Sequence, residues 1–328
     1  MPVFEQRAFI GRALASLATQ TRIDWSLTIV DDGSRDGTVD AIAPWLADPR
    51  VTLVRLPENR GLGAALNVAL DAVDAPLVAY LPADDVWYAE HLERLVGALD
   101  AHPDCVLAHA GVRHHYNRLA ETTVEGEGLQ LVQCLHRRTG DRWMTRGELV
   151  TDDLERMFWS KLRARGAVHA TREVTCEWVD HPHQRHKMLR EPAGGIAGYR
   201  QRYRVREPLR FHSTAGNLID EVGQYAHYRS RPRPRAAPDG LRILLVGELA
   251  YNADRILALE EAGHTLFGLW MREPYWYNAV GPLPFGHVED LDPTRWREEI
   301  RRVQPDVIYA LLNWQAVPFA HEVLAART

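Results

Sequence analysis

Two acidic clusters in this chain have the residue types and spacing to hold a cation and the phosphates it neutralises. The first is Val30-Asp31-Asp32-Gly33-Ser34-Arg35-Asp36-Gly37-Thr38, the second Tyr80-Leu81-Pro82-Ala83-Asp84-Asp85-Val86-Trp87. Adjacent carboxylates repel unless a cation or hydrogen-bond donors neutralise them. Oxygen donors of this hardness suit Mg2+ or Mn2+, which then carry a diphosphate. Either cluster alone also reads as a helix cap or an Asx turn, with Asp36 and Thr38 opening the next helix. A calcium loop is excluded. Asp32, Ser34, Asp36 and Gly37 fit its start, but Ala43 stands at the twelfth position, where a bidentate glutamate is required.

Between the clusters lies Glu58-Asn-Arg-Gly-Leu-Gly-Ala-Ala-Leu-Asn67. Gly61 and Gly63 let backbone approach a ligand at a helix start, where unpaired N–H groups favour anions. A plain helix-entry turn fits the same residues. Arg60 is the positive side chain placed there for a phosphate or a base.

The elements that must position these residues alternate. Leu27–Asp31, Val51–Leu56, Leu77–Leu81 and Val106–Val112 read as short buried strands. Helical periodicity covers Ala8–Gln20, Thr38–Leu46, Gly61–Ala72 and Ala89–Ala101. Repeated strand–helix units predict an α/β fold, a mostly parallel sheet flanked by helices, with ligands at the carboxyl ends of the strands. Both acidic clusters sit at such ends.

Composition narrows the classes. The 328 residues carry a formal net charge of −5, with no basic excess to recruit nucleic acid. No apolar run approaches the ~18 residues of a membrane span, and no secretory leader is visible, so a cytoplasmic protein is expected. Cys105, Cys134 and Cys176 are odd in number and widely spaced, which fits reduced buried thiols. The stretch 229–240 has three prolines, four arginines and no large apolar residue, and reads as a solvated linker. It divides the chain into 1–228 and 241–328. The second part predicts strands at Leu241–Glu248, His264–Trp270 and Asp306–Leu312, with helices at Asn252–Ala262 and Thr294–Val303. That is a partial Rossmann-like domain without the Gly-x-Gly-x-x-Gly fingerprint, since Gly247 is followed by Glu248-Leu249-Ala250. It is similar to the opening half of the N-terminal domain of GT-B glycosyltransferases. Tyr275-Trp276-Tyr277 could stack on a sugar or simply pack.

Taken together, Arg12–Thr21, Val30–Thr38, Asn59–Asn67 and Ala83-Asp84-Asp85 resemble family 2 glycosyltransferases, closely over about residues 1–115 and loosely over 116–215. The resemblance implies the GT-A fold, a nucleotide-sugar donor, a divalent metal (Mn2+ or Mg2+) and inversion at the anomeric carbon. It places Asp32 on the nucleotide base and Arg60 near base or phosphate. Asp84 and Asp85 take the metal and ribose position, with Pro82 where many members have a first aspartate. The family also needs a general base from an acid opening a helix in the acceptor half. Glu148–Trp159 supplies Asp153, with Asp152 in reserve; both also fit a helix-dipole role. Some relatives complete the metal shell with a histidine from the region of His181, His183 and His186, which also read as ordinary loop histidines. Members begin with a longer apolar strand than Met1-Pro2-Val3-Phe4 provides.

The expected function is thus a metal-dependent inverting glycosyltransferase acting on an acceptor hydroxyl of a sugar, lipid-linked or small-molecule acceptor. A sugar nucleotidyltransferase is disfavoured, because its Gly-rich N-terminal loop is absent. The rival from another class is a non-catalytic nucleotide- or carbohydrate-binding module tethered to a second glycosyltransferase domain.

Overall fold

The computed structural model describes residues 1–114, 121–122, 128–191, 194–205, 207–223, 226, 236–247, 253–269, 287–288 and 296–311. Two compact units make up the chain, Met1–Met188 and Leu189–Thr328. The linker expected at 229–240 is described only over 236–240, so the division at that point stays a proposal. The segment after Met188 clusters with the second unit.

The first unit opens with β1 (Pro2–Val3), α1 (Ile10–Ala18), β2 (Leu27–Asp31), α2 (Thr38–Ile42) and β3 (Val51–Arg55). β2 lies between β1 and β3, parallel to both, with Asp31 opposite Val3 and Arg55. All of β2 is buried, as a middle strand covered on both faces must be. α1 buries Ile10, Ala13, Leu14 and Leu17, the stripe that its periodicity predicts. Pro44 turns the end of the expected second helix into a 3-10 turn, Ala43–Ala47.

Next come α3 (Leu62–Ala72), β4 (Leu77–Ala79), β5 (Val86–Trp87), α4 (His91–Ala101), β6 (Cys105–His114), β7 (Glu121–Thr122), β8 (Cys134–Arg137), α5 (Leu154–Arg163), β9 (Ala167–Trp178) and α6 (Arg185–Leu189). They form a second sheet in the order β4-β8-β6-β9-β5, with β7 on β6. Only β6 and β9 pair in parallel there; the other pairings are antiparallel. The regular alternation read from the sequence therefore ends at β6. β9 escapes a sequence reading because His169, Arg172 and Glu173 interrupt it and most of it is half-exposed.

An aromatic knot joins this sheet to α5. Trp143 stacks on Phe158 with ring centroids 4.0 Å apart, and Tyr80 meets Trp143 edge-on. His136 Nδ1 lies 2.7 Å from the Arg137 carbonyl, which can only accept, so Nδ1 carries the proton. Nε2 therefore accepts from the Tyr80 hydroxyl at 2.9 Å. The Trp143 indole N–H donates to the same hydroxyl at 3.3 Å. Burial lowers the His136 pKa to about 4 and that of His91 to about 3. Their neutral forms thus contribute stability that is complete above pH ~6.5 and declines as pH falls through the window below it. Imidazole 15N shifts are expected to show His136 as the neutral Nδ1–H tautomer at pH 5.5, where an exposed histidine is mostly charged. A charged ring at that pH would refute this hydrogen-bond assignment.

In the second unit, α7 (Gly195–Tyr203) precedes an antiparallel hairpin of β10 (Arg210–His212) and β11 (Leu218–Asp220). A buried ion pair between Arg200 and Glu221 holds this part together. There follow β12 (Arg242–Gly247), α8 (Ala253–Glu261), β13 (Thr265–Leu269), β14 (His287–Val288), α9 (Trp296–Val303) and β15 (Val307–Leu311). The sheet order is β14-β13-β12-β15, parallel throughout. This is the Rossmann-like arrangement expected. Tyr275, Trp276 and Tyr277 lie outside the described residues. No helix among the described residues is long and apolar enough to cross a membrane.

Candidate functional site

Asp31 closes β2 and Asp32 follows it. The Asp31 carboxylate accepts the amide of Ser34 at 3.1 Å and lies 3.8 Å from Nε of Arg55. Asp32 is clamped by backbone. Its two oxygens accept the amides of Arg60 at 2.7 Å and Gly61 at 2.9 Å. Gly33 makes this approach possible: its φ is +80°, and a Cβ there would sit 2.7 Å from the Glu58 carbonyl carbon. Burial raises the Asp32 pKa to about 6, against the two amides and the nearby charge of Arg146, while Asp31 adds to the rise. A carboxylate has about four acceptor positions and the amides use two, so capacity remains for a ligand's donor. Arg60 thus serves Asp32 through its main chain, and its side chain is exposed.

Gly37 is the residue that precedes α2, and Asp36 makes the Asx turn of the two local alternatives. Its Oδ1 accepts the amide of Thr38 at 3.0 Å and its hydroxyl at 2.5 Å. The segment 5–7 is zipped onto this loop: the amides of Glu5, Gln6 and Arg7 donate to Ser34 Oγ, Thr38 Oγ1 and Asp36 Oδ2. Glu5 takes a left-handed φ of +50° to do so. Two residues further on, the Phe9 ring stacks on His181 with centroids 4.3 Å apart. Phe9 therefore leaves the apolar face of α1 and links the first acidic loop to the second.

The second loop is built differently. Asp84 Oδ2 lies 2.9 Å from Nε2 of His181, and its side chain is 16% exposed. The His183 amide donates to His181 Nδ1 at 3.3 Å. That leaves Nε2 as the protonated nitrogen, donating to Asp84. Asp85 is buried and accepts the Val179 amide at 2.9 Å. Burial and the adjacent Asp84 push its pKa well up, with Arg12 acting against them. Asp85 secures the loop, whereas Asp84 is partly exposed beside a histidine. Among the described residues, no group of three or more His, Cys, Asp or Glu is arranged to hold a metal.

Asp152 and Asp153 stand at the start of α5, which Phe158 and Trp159 anchor in the core. Asp153 is the residue preceding the helix, and its side chain makes no capping hydrogen bond. The Thr151 hydroxyl receives the Asp153 amide instead, at 3.1 Å. Arg185 was not expected from the sequence. It donates to the Thr151 carbonyl at 2.6 Å and lies 3.8 Å from Glu155. The 179–185 segment thus touches Asp85 through Val179, Asp84 through His181, and the start of α5 through Arg185. Segment 5–9 joins the Asp32 loop to the histidine that Asp84 holds.

Comparison with known proteins bears on the first part of the chain. Residues 1–141 match the family model "Glycosyl transferase family 2". The chain is 36% identical over 94 residues to the putative teichuronic acid biosynthesis glycosyltransferase TuaG of Bacillus subtilis, covering 28% of this chain and 37% of that protein. It is 29% identical over 99 residues to the UDP-Glc:alpha-D-GlcNAc-diphosphoundecaprenol beta-1,3-glucosyltransferase WfgD of Escherichia coli, covering 30% of this chain and 39% of that one. The chain thus spans less than half the length of these curated relatives. Among solved structures it is similar to S. aureus TarS 1-349 in complex with UDP-GlcNAc, at 17% identity and TM-score 0.49, over 56% of this chain and 58% of that one. It is also similar to the mannosyltransferase PcManGT from Pyrobaculum calidifontis in complex with GDP-Man and Mn2+, at 20% identity and TM-score 0.46, over 61% and 58%. Over residues 1–141 the chain is thus similar to glycosyl transferase family 2.

Proposed function

We propose that this chain transfers a sugar from a nucleotide-sugar donor to an acceptor hydroxyl, with inversion and with the help of Mn2+ or Mg2+. The observation that carries the reading is the tie between the acidic loops: segment 5–9 hydrogen-bonds the Asp32 loop and stacks on the histidine held by Asp84. Asp32 then accepts from the nucleotide base, and the Arg60 guanidinium stands beside base or phosphate. Asp84, oriented by the His181 N–H and with the buried Asp85 behind it, offers a small carboxylate donor set. Mg2+-type sites use one or two protein carboxylates and fill the rest with substrate phosphates and water, so a set this small fits. When bound, the ion neutralises charge on the departing diphosphate. Asp153 takes the acceptor hydroxyl's proton as its oxygen bonds to the anomeric carbon and the bond to the diphosphate breaks.

The test is a panel of nucleoside diphosphates and their sugars, with and without Mn2+. One diphosphate is expected to bind selectively, at least roughly tenfold tighter with Mn2+ than in chelator, a difference of about 1.4 kcal/mol. Asp84→Asn should erase the enhancement. Equal affinity with and without metal would remove the metal from the reading. Selective binding with no release of diphosphate from any sugar donor would favour the binding-module alternative.

A further inference from the structure

One side chain that no motif announced reaches the donor side from the acceptor half. Arg146 donates from Nη1 to Asn59 Oδ1 at 2.9 Å and from Nη2 to the Asn59 carbonyl at 2.6 Å. Asn59 immediately precedes the Arg60 and Gly61 amides that hold Asp32. The same segment is fastened to α3 at two further points. Asn67 and Trp143 exchange hydrogen bonds, Asn67 Nδ2 to the Trp143 carbonyl and the Trp143 amide to Asn67 Oδ1, both 2.9 Å. Met144 presses its carbonyl so close to Gly63 that a Cβ there would lie 1.8 Å from it. Residues 143–146 are therefore a strap along the first turns of α3 and the turn before it.

We propose that Arg146 is a positioning residue of the donor site: its guanidinium grips both oxygens of Asn59 and so fixes the turn whose amides aim the Asp32 carboxylate. This rests on the reading of Asp32 as the residue that meets the donor's base. The planar fork suits the task, because two oxygens of one residue are held at once and rotation of the turn is blocked. Arg146 also brings its positive charge to a carboxylate that burial and Asp31 disfavour. The groups facing Asp32 are Asp31, Arg146 and the two amides.

The experiment compares the parent chain with Arg146→Gln and Arg146→Lys by NMR and calorimetry. In Arg146→Gln, amide exchange at Arg60 and Gly61 should accelerate roughly ten- to hundredfold, the range for losing hydrogen bonds to a charged group. The Asp32 carboxyl should titrate at higher pH than in the parent. Affinity for the diphosphate selected by the panel should fall by a similar factor. Arg146→Lys keeps the charge and loses the fork. It should restore the titration and leave the exchange fast. Parent-like exchange at Arg60 and Gly61 in Arg146→Gln, in a chain that remains folded by its other amide signals, overturns the proposal. Parent-like diphosphate affinity in the same variant overturns it too. If exchange and titration respond while the parent chain binds no nucleoside diphosphate at all, the positioning of Asp32 stands and the donor reading is what fails.

Discussion

Asp153→Asn is expected to slow sugar transfer by ~10²–10⁴-fold while leaving nucleoside diphosphate binding nearly unchanged. An acceptor hydroxyl is a weak nucleophile at neutral pH and needs a base on the face opposite the leaving diphosphate. Asp84 is assigned to the metal, and Asp85 is buried on the Val179 amide. Asp32 holds two amides of its own. Of the acids at the start of α5, Asp153 is exposed and makes no capping hydrogen bond. Its position is nevertheless fixed. Phe158 and Trp159 bury the helix, and Arg185 ties its first turn to the segment that holds Asp84. Asparagine preserves this shape and cannot take a proton. Steady-state transfer and calorimetric binding on the same preparations provide the check. Parent-like transfer by Asp153→Asn together with a collapse in Asp152→Asn would move the base by one residue. Parent-like transfer by both would exclude this helix from the chemistry.

Gly63→Ala is expected to destabilise the protein by about 3 kcal/mol or more, against the ordinary direction of such a change. In a helix, alanine is favoured over glycine by up to ~1 kcal/mol. Here the added methyl would lie 1.8 Å from the Met144 carbonyl oxygen, which is backbone and cannot swing away. Overpacking costs about 1–3 kcal/mol even where side chains can adjust, so the collision outweighs the propensity gain. Gly97→Ala is the matched control. It lies in α4, and nothing stands within 4 Å of its added Cβ. That variant should keep or raise the melting temperature, whereas Gly63→Ala should lower it by roughly 10 °C. Thermal unfolding of the two variants side by side decides the matter. A parent-like melting temperature for Gly63→Ala would mean that the strap yields.

The parallel part of the fold was legible because β2, β12, β13 and β15 are apolar runs whose length and flanks leave little choice. α1 was legible for its stripe, although Phe9 turned from the helix face to His181. β8 and β9 were not legible. Their pairing partners lie far along the chain, and their residues mix charged with apolar types without a clean period. At the site, the residue types of Asp32, Asp84, Asp85 and Asp153 were readable, since acids at strand and helix ends carry their own local signal. Their partners were legible only in part. The family resemblance brought the region of His181, His183 and His186 to the site, but only the fold singles out His181, which meets Asp84 from 97 residues away. Arg146 reaches Asn59 across 87 residues, a separation that leaves no periodicity to read.

The strap also bears on how sequences of this kind can be recombined. The matched family domain ends at residue 141, just before Trp143. A chimera cut there would receive a foreign segment against Asn59, Gly63 and Asn67, three residues that this chain shapes for Trp143, Met144 and Arg146. Exchange of the segments after residue 141 between relatives therefore has to carry these six positions as one inherited block, or join the chains beyond Arg146.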